Sequence, residues 1–271
     1  MAEGDGAGAP GARSEAAPER GARPVIDAER DRIVKGGGDR VLGMAGDLEV
    51  SRHRIGLPAV VAHLSDLHLD RVRVAPERVA QALDREGAEV VAVTGDFFDS
   101  RYSAAALDRW FAAFGGRPVV TVPGNHDHRL REASRTALFA YLAARSTFLR
   151  NAEATVGGVR FYGYDDPVTF RARPAAPPPG VDLVLAHSVD LPVPLDTLPA
   201  PLLCGHYHGG QVRILPPRLL ARLVLRHERL ALEQGILAGW TPDRRAYLSR
   251  GIGMSHLPVR LFAAPEVAVF D

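Results

Sequence analysis

The sequence is poor in cysteine and has no long apolar run. Cys204 is the single cysteine among 271 residues, so no intrachain disulfide can form and a reducing compartment is favoured. No run of about 18 uncharged apolar residues, the length of a membrane span, is present. The N-terminus lacks the basic start and apolar core of a secretory signal. We therefore expect a cytoplasmic location.

An excess of charge of one sign is also missing. The chain has 33 Lys and Arg against 32 Asp and Glu, a formal net charge of +1. Bulk charge therefore gives no indication of a nucleic-acid partner. The hydrophobic fraction of 46% is enough to form a sizeable core. This length allows one large domain, or one domain with a tail.

The composition divides the chain into three parts. Residues 1–24 are mainly Gly, Ala, Pro, Glu and Arg, and they contain too few large apolar residues to fold, which predicts a disordered tail. Residues 25–46 form a poorly defined lead-in, in which a short helix from Val25 would be interrupted by the glycines at 36–38. From residue 47 to 271 we expect one folded domain. Alternation of Leu48 and Val50 with polar residues predicts an edge strand at its start.

Short apolar runs alternate with helical stretches in this domain. Such runs occur at 59–64, 90–93, 119–122, 181–186 and 201–204, with late strands at 246–249 and 267–270 and a hairpin at 153–164. The first three runs are separated by helical stretches at 76–86 and 103–114. This alternation predicts an α/β fold with a largely parallel sheet. Polar groups at the carboxyl ends of its strands would meet in one crevice.

The strand ends carry donors typical of a metal site. Seven carboxylate, imidazole and amide side chains follow apolar strands: Asp66, His68, Asp96, Asn125, His187, His206 and His208. His126 and Asp127 accompany Asn125. Residues i and i+2 of an extended strand face the same side, so Asp66 with His68, and His206 with His208, can approach one ion together. Such donors suit Mn, Fe, Zn or Co, and a single cysteine argues against thiolate ligation.

Seven donors are too many for one ion, but they suit two ions that share a bridging carboxylate. Two such ions can clamp a phosphoryl group, and a bridging water becomes a nucleophilic hydroxide near neutral pH. Each short motif alone also has a structural explanation, such as a turn, a helix N-cap or a core histidine. The five motifs together, each at a strand end, favour a metal centre.

The ordered motifs resemble the calcineurin-like metallophosphoesterase superfamily. Its pattern of D-x-H, G-D, G-N-H-D, H and G-H-x-H is matched from Asp66 to His208. Three later features resemble the bacterial phosphodiesterase branch of the YkuE and YaeI proteins: the glycines at 251 and 253, Pro258 with Arg260, and Pro265 with Glu266. The resemblance covers about residues 47–271. It implies a four-layer α/β/β/α sandwich and a metal-dependent hydrolase of phosphate esters, with phosphodiesters as the expected substrates.

The resemblance also implies a role for each site residue. The first ion would be bound by Asp66, His68 and His208, and the second by Asn125, His187 and His206. Asp96 would bridge the two ions, for which Mn is favoured. His126 would contact the phosphate or protonate the leaving group, and Asp127 would orient His126 through a hydrogen bond.

Other functions and partners stay open at this point. A non-catalytic metal-binding scaffold of the same fold and a nuclease are the alternatives to a phosphoesterase. The basic amphipathic segment at 216–229 allows peripheral contact with anionic lipid headgroups or simple packing as a surface helix. Arg129 and Arg260 could hold a phosphate or form structural ion pairs. The sequence gives no oligomeric state.

Overall fold

Two mixed β-sheets form the centre of the fold. The computed structural model describes residues 1, 32–35, 46–166, 176–216, 218–219, 236–255 and 258–271. Seven strands form the first sheet, in the order β1-β2-β13-β3-β4-β5-β6, and six form the second, in the order β11-β12-β10-β9-β8-β7. Each sheet collects strands from distant parts of the chain, so the fold depends on long-range pairing.

The strand bounds follow the apolar runs closely. The first sheet consists of β1 (Arg32–Lys35), β2 (Glu49–His53), β3 (Val61–Leu64), β4 (Val90–Thr94), β5 (Val119–Val122), β6 (Thr147–Phe148) and β13 (Glu266–Phe270). The second consists of β7 (Ala152–Val156), β8 (Val159–Gly163), β9 (Leu183–Leu185), β10 (Leu202–Cys204), β11 (Gly239–Trp240) and β12 (Ala246–Leu248). β7 and β8 form the predicted hairpin.

The four α-helices with described bounds lie between residues 76 and 145. They are α1 (Pro76–Arg85), α2 (Ala104–Ala113), α3 (Asn125–Arg129) and α4 (Glu132–Arg145). Pro76 begins α1, where its missing N–H costs no hydrogen bond. The side chain of Ser103 caps α2 by accepting the Ala106 N–H at 3.2 Å. Two 3₁₀ turns cover Leu195–Thr197 and His208–Gly210.

Three buried apolar clusters separate four layers, as the predicted α/β/β/α sandwich requires. The outer faces of β3 and β4 pack against α1, α2 and α4 through residues such as Val91, Leu83 and Leu138. The two sheets meet through a second cluster that includes Val120 and Phe161. The third cluster covers the outer face of the second sheet, where the described layer consists of loops and a 3₁₀ turn.

The structure corrects two predictions. β2 is not an edge strand, because β1 and β13 pair with its two sides. Residues 32–35 of the lead-in form the strand β1 and are not helical, and the rest of the stretch expected to be helical from Val25 lies outside the described residues. The first sheet is largely parallel as predicted, since four of its six strand pairings are parallel, and the exceptions are β1 with β2 and β13 with β3. Residues 2–24 and most of the basic segment at 216–229 lie outside the described residues.

None of the helices in the described part of the chain combines the length and apolar composition that crossing a membrane needs.

Candidate metal centre

The candidate site is formed by loops that follow β3, β4, β5, β9 and β10. β3, β4 and β5 are parallel neighbours in the first sheet, and β9 and β10 are parallel neighbours in the second. Their carboxyl ends therefore open at one edge of the sandwich. The loops after β3 and β4 are tied together, since Asp66 N–H donates to Gly95 O at 3.1 Å and His68 N–H donates to Asp96 O at 2.9 Å.

Most of the predicted ligands have an unusual backbone conformation. Positive φ values occur at Asp66 (51°), His68 (39°), Asp96 (55°), His206 (73°) and His208 (50°). This left-handed region costs a residue with a Cβ atom about 1–3 kcal/mol, and it persists only where the surroundings hold it in place. The extended geometry predicted for Asp66 with His68, and for His206 with His208, is therefore wrong. The chain leaves the strand conformation before each of these pairs.

A first group of side chains contains Asp66, His68 and His208. The Nε2 atoms of His68 and His208 lie 3.2 Å apart, and Nε2 of His208 is 3.3 Å from Oδ1 of Asp66. One donor atom from each of the three side chains lies within 4.8 Å of the other two, and all three are buried. Three ligand atoms thus converge at a spacing that one metal ion can bridge.

A second group contains Asp96, His187 and His206. Oδ2 of Asp96 lies 3.2 Å from Nε2 of His187, which in turn is 3.1 Å from Nδ1 of His206. The other nitrogen of His187, Nδ1, bonds the carbonyl of Thr94 at 2.8 Å. His206 and His208 therefore join different groups, because the turn between them sends their rings to separate neighbours.

Burial and nearby charges shift the pKa values of these residues strongly. Burial would raise the pKa of Asp96, but His187 and His68 hold it well below its usual value. Burial would lower the pKa of His187, but Asp96 raises it to about 10. Burial lowers the pKa of His68 to about 3 and that of His208 well below its usual value. The neutral imidazoles of His68 and His208 beside an ionised carboxylate favour cation binding, whereas His187 has to release its proton to bind an ion.

Asn125 supports the fit of a metal ion. Its side chain is buried at the start of α3, and no hydrogen-bond donor within the described part of the chain reaches its Oδ1 atom. A buried amide oxygen without a donor costs free energy unless another partner satisfies it. A divalent cation would be such a partner. The neighbouring residue His126 donates its backbone N–H to Oδ1 of Asp96 at 2.8 Å.

Two glycines let the loops approach each other. A Cβ atom at Gly124 would overlap the carboxylate of Asp96, and one at Gly205 would overlap Ser65 and Asp66. The glycines of the G-N-H-D and G-H-x-H motifs are therefore needed for space beside the carboxylates.

The carboxylate of Asp127 is bonded to backbone N–H groups of two loops. Its carboxylate accepts backbone N–H groups of Asp96 and Gly124 at 2.9 Å and of Phe97 at 2.8 Å. Asp127 thereby fixes the loop after β4 to the start of α3. Beside the imidazole of His126 lies the carboxylate of Asp99, whose Oδ1 is 3.1 Å from Nδ1 of His126.

Asp99 and Asp70 were not predicted as site residues. Asp70 accepts the backbone N–H groups of Asp99 and Ser100 at 2.9 Å and of Arg101 at 3.0 Å. It therefore holds the loop that presents Asp99 to His126. The spacing of Asp96 and Asp99, three residues apart after a strand, is the signal from which Asp99 could have been found.

Arg260 is a structural cation and not an exposed phosphate ligand. Its buried guanidinium donates to the carbonyls of Gly253 at 2.8 Å, Ala263 at 3.0 Å and His208 at 3.3 Å. One guanidinium nitrogen also lies 3.3 Å from Nδ1 of His208. Arg260 therefore fixes the backbone and the ring of a predicted ligand. Arg129 is exposed on the far end of α3.

A two-sheet sandwich with histidines, carboxylates and an amide gathered at its strand ends defines the class of metal-dependent phosphoesterases. The calcineurin-like phosphoesterase family profile matches residues 59–210. The chain belongs to the calcineurin-like phosphoesterase family. It is therefore a metal-dependent hydrolase of phosphoric esters.

Three bacterial proteins are similar to this chain. The metallophosphoesterase YkoQ of Bacillus subtilis (strain 168), described as uncharacterized, is 30% identical over 78% of this chain and 84% of its own length. The phosphodiesterase YaeI of Escherichia coli (strain K12) is 28% identical over 83% of this chain and 88% of its own length. The uncharacterized metallophosphoesterase YkuE of Bacillus subtilis is 33% identical over 32% of this chain and 29% of its own length. The predicted superfamily and bacterial branch are thus confirmed.

Proposed function

We propose that the chain hydrolyses phosphodiesters with two divalent metal ions. The position of Asp96 between the two groups of ligands carries this proposal. Its Oδ2 atom lies 3.6 Å from Nε2 of His68 in the first group and 3.2 Å from Nε2 of His187 in the second. A carboxylate at the border of two imidazole clusters suits a bridging ligand.

The first ion would be held by Asp66, His68 and His208, and the second by Asn125, His187 and His206. Asp96 would bind both. Oxygen and imidazole donors without thiolate suit Mn, Fe, Zn or Co, and we propose Mn as the first ion to test. When bound, two such ions stabilise the charge of a phosphoryl group and provide a nucleophilic water at neutral pH.

His126 is the side chain that we propose protonates the leaving oxygen. Its ring lies at 89° to that of His68, with 5.2 Å between the centroids, so it borders the first group of ligands. Asp99 on Nδ1 fixes the orientation of the ring, and Nε2 would transfer the proton. Asp127 contributes by fixing the loop after β4 to the start of α3.

The preference for diesters rests on the similarity to YaeI, which is named as a phosphodiesterase and is covered over 88% of its length. We also propose residues 47–271 as the catalytic domain. β2 starts at Glu49 and pairs in parallel with β13, which ends at Phe270, so this range contains both sheets except β1.

A substrate panel with metal-loaded protein tests the proposal. We expect Mn-supported hydrolysis of bis(p-nitrophenyl) phosphate that exceeds hydrolysis of p-nitrophenyl phosphate. Asp96→Ala should abolish turnover and lower the metal content measured by mass spectrometry, whereas the exposed-site control Asp196→Asn should change neither. Full activity of Asp96→Ala would disprove the mechanism. Bound metal without any turnover would favour the scaffold, and salt-sensitive cleavage of DNA would favour the nuclease.

A further inference from the structure

The exposed apolar side chains are gathered at one place on the surface. Apart from Met1, the large hydrophobic residues that are strongly exposed in the described part of the chain are Ile214 (64%), Leu219 (44%), Val259 (48%) and Phe262 (49%). They come from two segments, 211–219 and 258–262. We call these four residues the apolar rim. Single exposed hydrophobics are ordinary, but a cluster indicates an interaction site.

The apolar rim is continuous with the candidate metal centre. Val212 and Leu261 form a parallel bridge, Arg213 N–H donates to Leu261 O at 2.9 Å, and Leu261 N–H donates to Gln211 O at 2.9 Å. Gln211 directly follows the 3₁₀ turn that carries His208. Both segments of the rim are thus joined to each other and to the loop of a predicted metal ligand.

Both the backbone conformation and the solvent exposure of Phe262 are unfavourable for a phenylalanine. Its φ angle is 58°, a region that bulky residues rarely occupy, and half of its surface faces solvent. Neither the backbone nor the burial of the ring explains a phenylalanine at this position. A surface that receives the ring would explain it, since strained residues concentrate where function requires them.

The charged side chains in the described residues of the two rim segments are all positive. They are Arg213, Arg218 and Arg260, and Arg250 lies next to Gly209. Arg250 is paired with Glu49 at 2.9 Å, and Arg260 is buried among carbonyl groups, so these two stabilise the fold. Arg218 is exposed beside Leu219. The rim therefore combines apolar side chains with a positive edge.

We propose that the apolar rim docks on a lipid bilayer that contains anionic phospholipid, with the metal centre facing the membrane surface. Aromatic and aliphatic side chains enter the boundary between headgroups and acyl chains, while arginine at the edge binds the phosphates. A second copy of the chain is a poorer partner, because a symmetric contact would place like arginines opposite each other. The inference goes beyond the hydrolysis proposed above, and docking itself needs no turnover.

Vesicle sedimentation with the full chain tests the inference. The protein should sediment with vesicles of phosphatidylcholine and phosphatidylglycerol, and much less with phosphatidylcholine alone. The triple variant Ile214→Ser, Val259→Ser, Phe262→Asn should bind the anionic vesicles about tenfold more weakly or worse. Asn is chosen at 262 because it tolerates positive φ. Arg218→Glu should weaken binding about 25-fold, because it changes the charge by two units and each charge near an anionic surface is worth about fivefold.

Matched controls separate docking from folding and from catalysis. Arg109→Glu, on the exposed side of α2, makes the same charge change far from the rim in sequence and should leave vesicle binding intact. The triple variant should hydrolyse a soluble diester at the unchanged rate, which shows that its site is folded. Equal sedimentation of the triple variant and the unmodified chain would overturn the inference. So would a dimer, detected by light scattering, that the triple substitution dissociates while vesicle binding is absent.

Discussion

In the proposed mechanism some side chains bind metal and others move a proton, and the two roles predict different kinetics. Asp96 borders both ligand groups, whereas His126 and Asp99 form a pair beside them. Loss of a ligand should remove metal and turnover together. Loss of the pair should leave the metal bound and slow only the step in which the leaving oxygen takes a proton.

His126→Ala should lower kcat by about 100-fold or more for an alkyl diester, and by less for an aryl diester, whose leaving oxygen needs little protonation. Asp99→Asn should cause part of this loss, and the double variant should be no slower than His126→Ala, since the two residues act as a unit. Steady-state kinetics and metal analysis of all three variants check this. Additive losses in the double variant would show that Asp99 does not act through His126.

Asp165 provides a pH-dependent contribution to stability away from the metal ligands. Its buried carboxylate lies 2.6 Å from Nε2 of His128 and 2.6 Å from a guanidinium nitrogen of Arg150. Burial would raise the pKa of Asp165, but the hydrogen bonds and charges of His128 and Arg150 lower it overall. The unfolded chain therefore binds the proton more readily, so this contribution is complete above a pH of about 4 to 5 and is lost as the pH falls below that range.

Asp165→Asn should therefore lower the free energy of unfolding by about 1–3 kcal/mol at pH 7, and by less as the pH drops below about 4. Urea denaturation of both proteins across this range measures the difference. A loss that is constant with pH would show that packing, and not the charge of Asp165, is responsible.

At the scale of elements, the loops between strands and helices position the side chains of the candidate metal centre. The loop after β4 is held from two sides, by Asp127 through the N–H groups of Asp96 and Phe97 and by Asp70 through those of 99–101. Burial would raise the pKa of Asp70, but these backbone N–H groups lower it, which indicates that the ionised carboxylate is the bonded form. The conformation of the loop thus depends on the ionised carboxylate of Asp70, which belongs to neither ligand group.

Asp70→Asn should loosen this loop and lower kcat about tenfold with little change in KM and in metal content, because Asp99 would lose its fixed position. In a His126→Ala background the same substitution should have almost no further effect on kcat. The control Asp84→Asn removes an exposed partner of Arg117 and should leave the kinetics unchanged. A loss of bound metal in Asp70→Asn would assign it a role in ligand placement instead.

At the scale of the whole molecule, metal binding should link the two halves of the fold. Asp66 follows a strand of the first sheet and His208 follows a strand of the second, and their side chains lie 3.3 Å apart. A ligand that binds only the folded state raises stability by about 2.7 kcal/mol at 100 times its Kd. Bound ions would therefore hold the sheets together at this edge.

Chelation by EDTA should accordingly lower the Tm of the Mn-loaded protein by about 5–10 °C, since each 1 kcal/mol moves the Tm by about 2–4 °C in a domain of this size. The Tm of Asp96→Ala should change little on the same treatment. Differential scanning calorimetry measures both. A chelator effect of equal size in the two proteins would point to a metal site elsewhere.

The sequence by itself determined the local elements and the chemistry at their ends. α1, α2 and the β7–β8 hairpin were predicted within one or two residues, because apolar periodicity, Pro76, Ser103 and the glycines at 157–158 act over short distances. The ordered motifs also identified the family and the nine candidate site residues. α4 was missed, because a helix that buries only Leu138 and Leu142 has a weak periodic pattern.

Only the tertiary structure decided how these elements pair and which side chains meet. β13 enters the first sheet between β2 and β3, more than 200 residues from where that sheet begins, and no local pattern encodes such a partner. The same holds for Asp99 beside His126 and for the separation of His206 from His208, which depends on positive φ values maintained by surrounding loops. Strand propensity and turn chemistry are local properties, whereas pairing and backbone strain are set by the packing of distant segments.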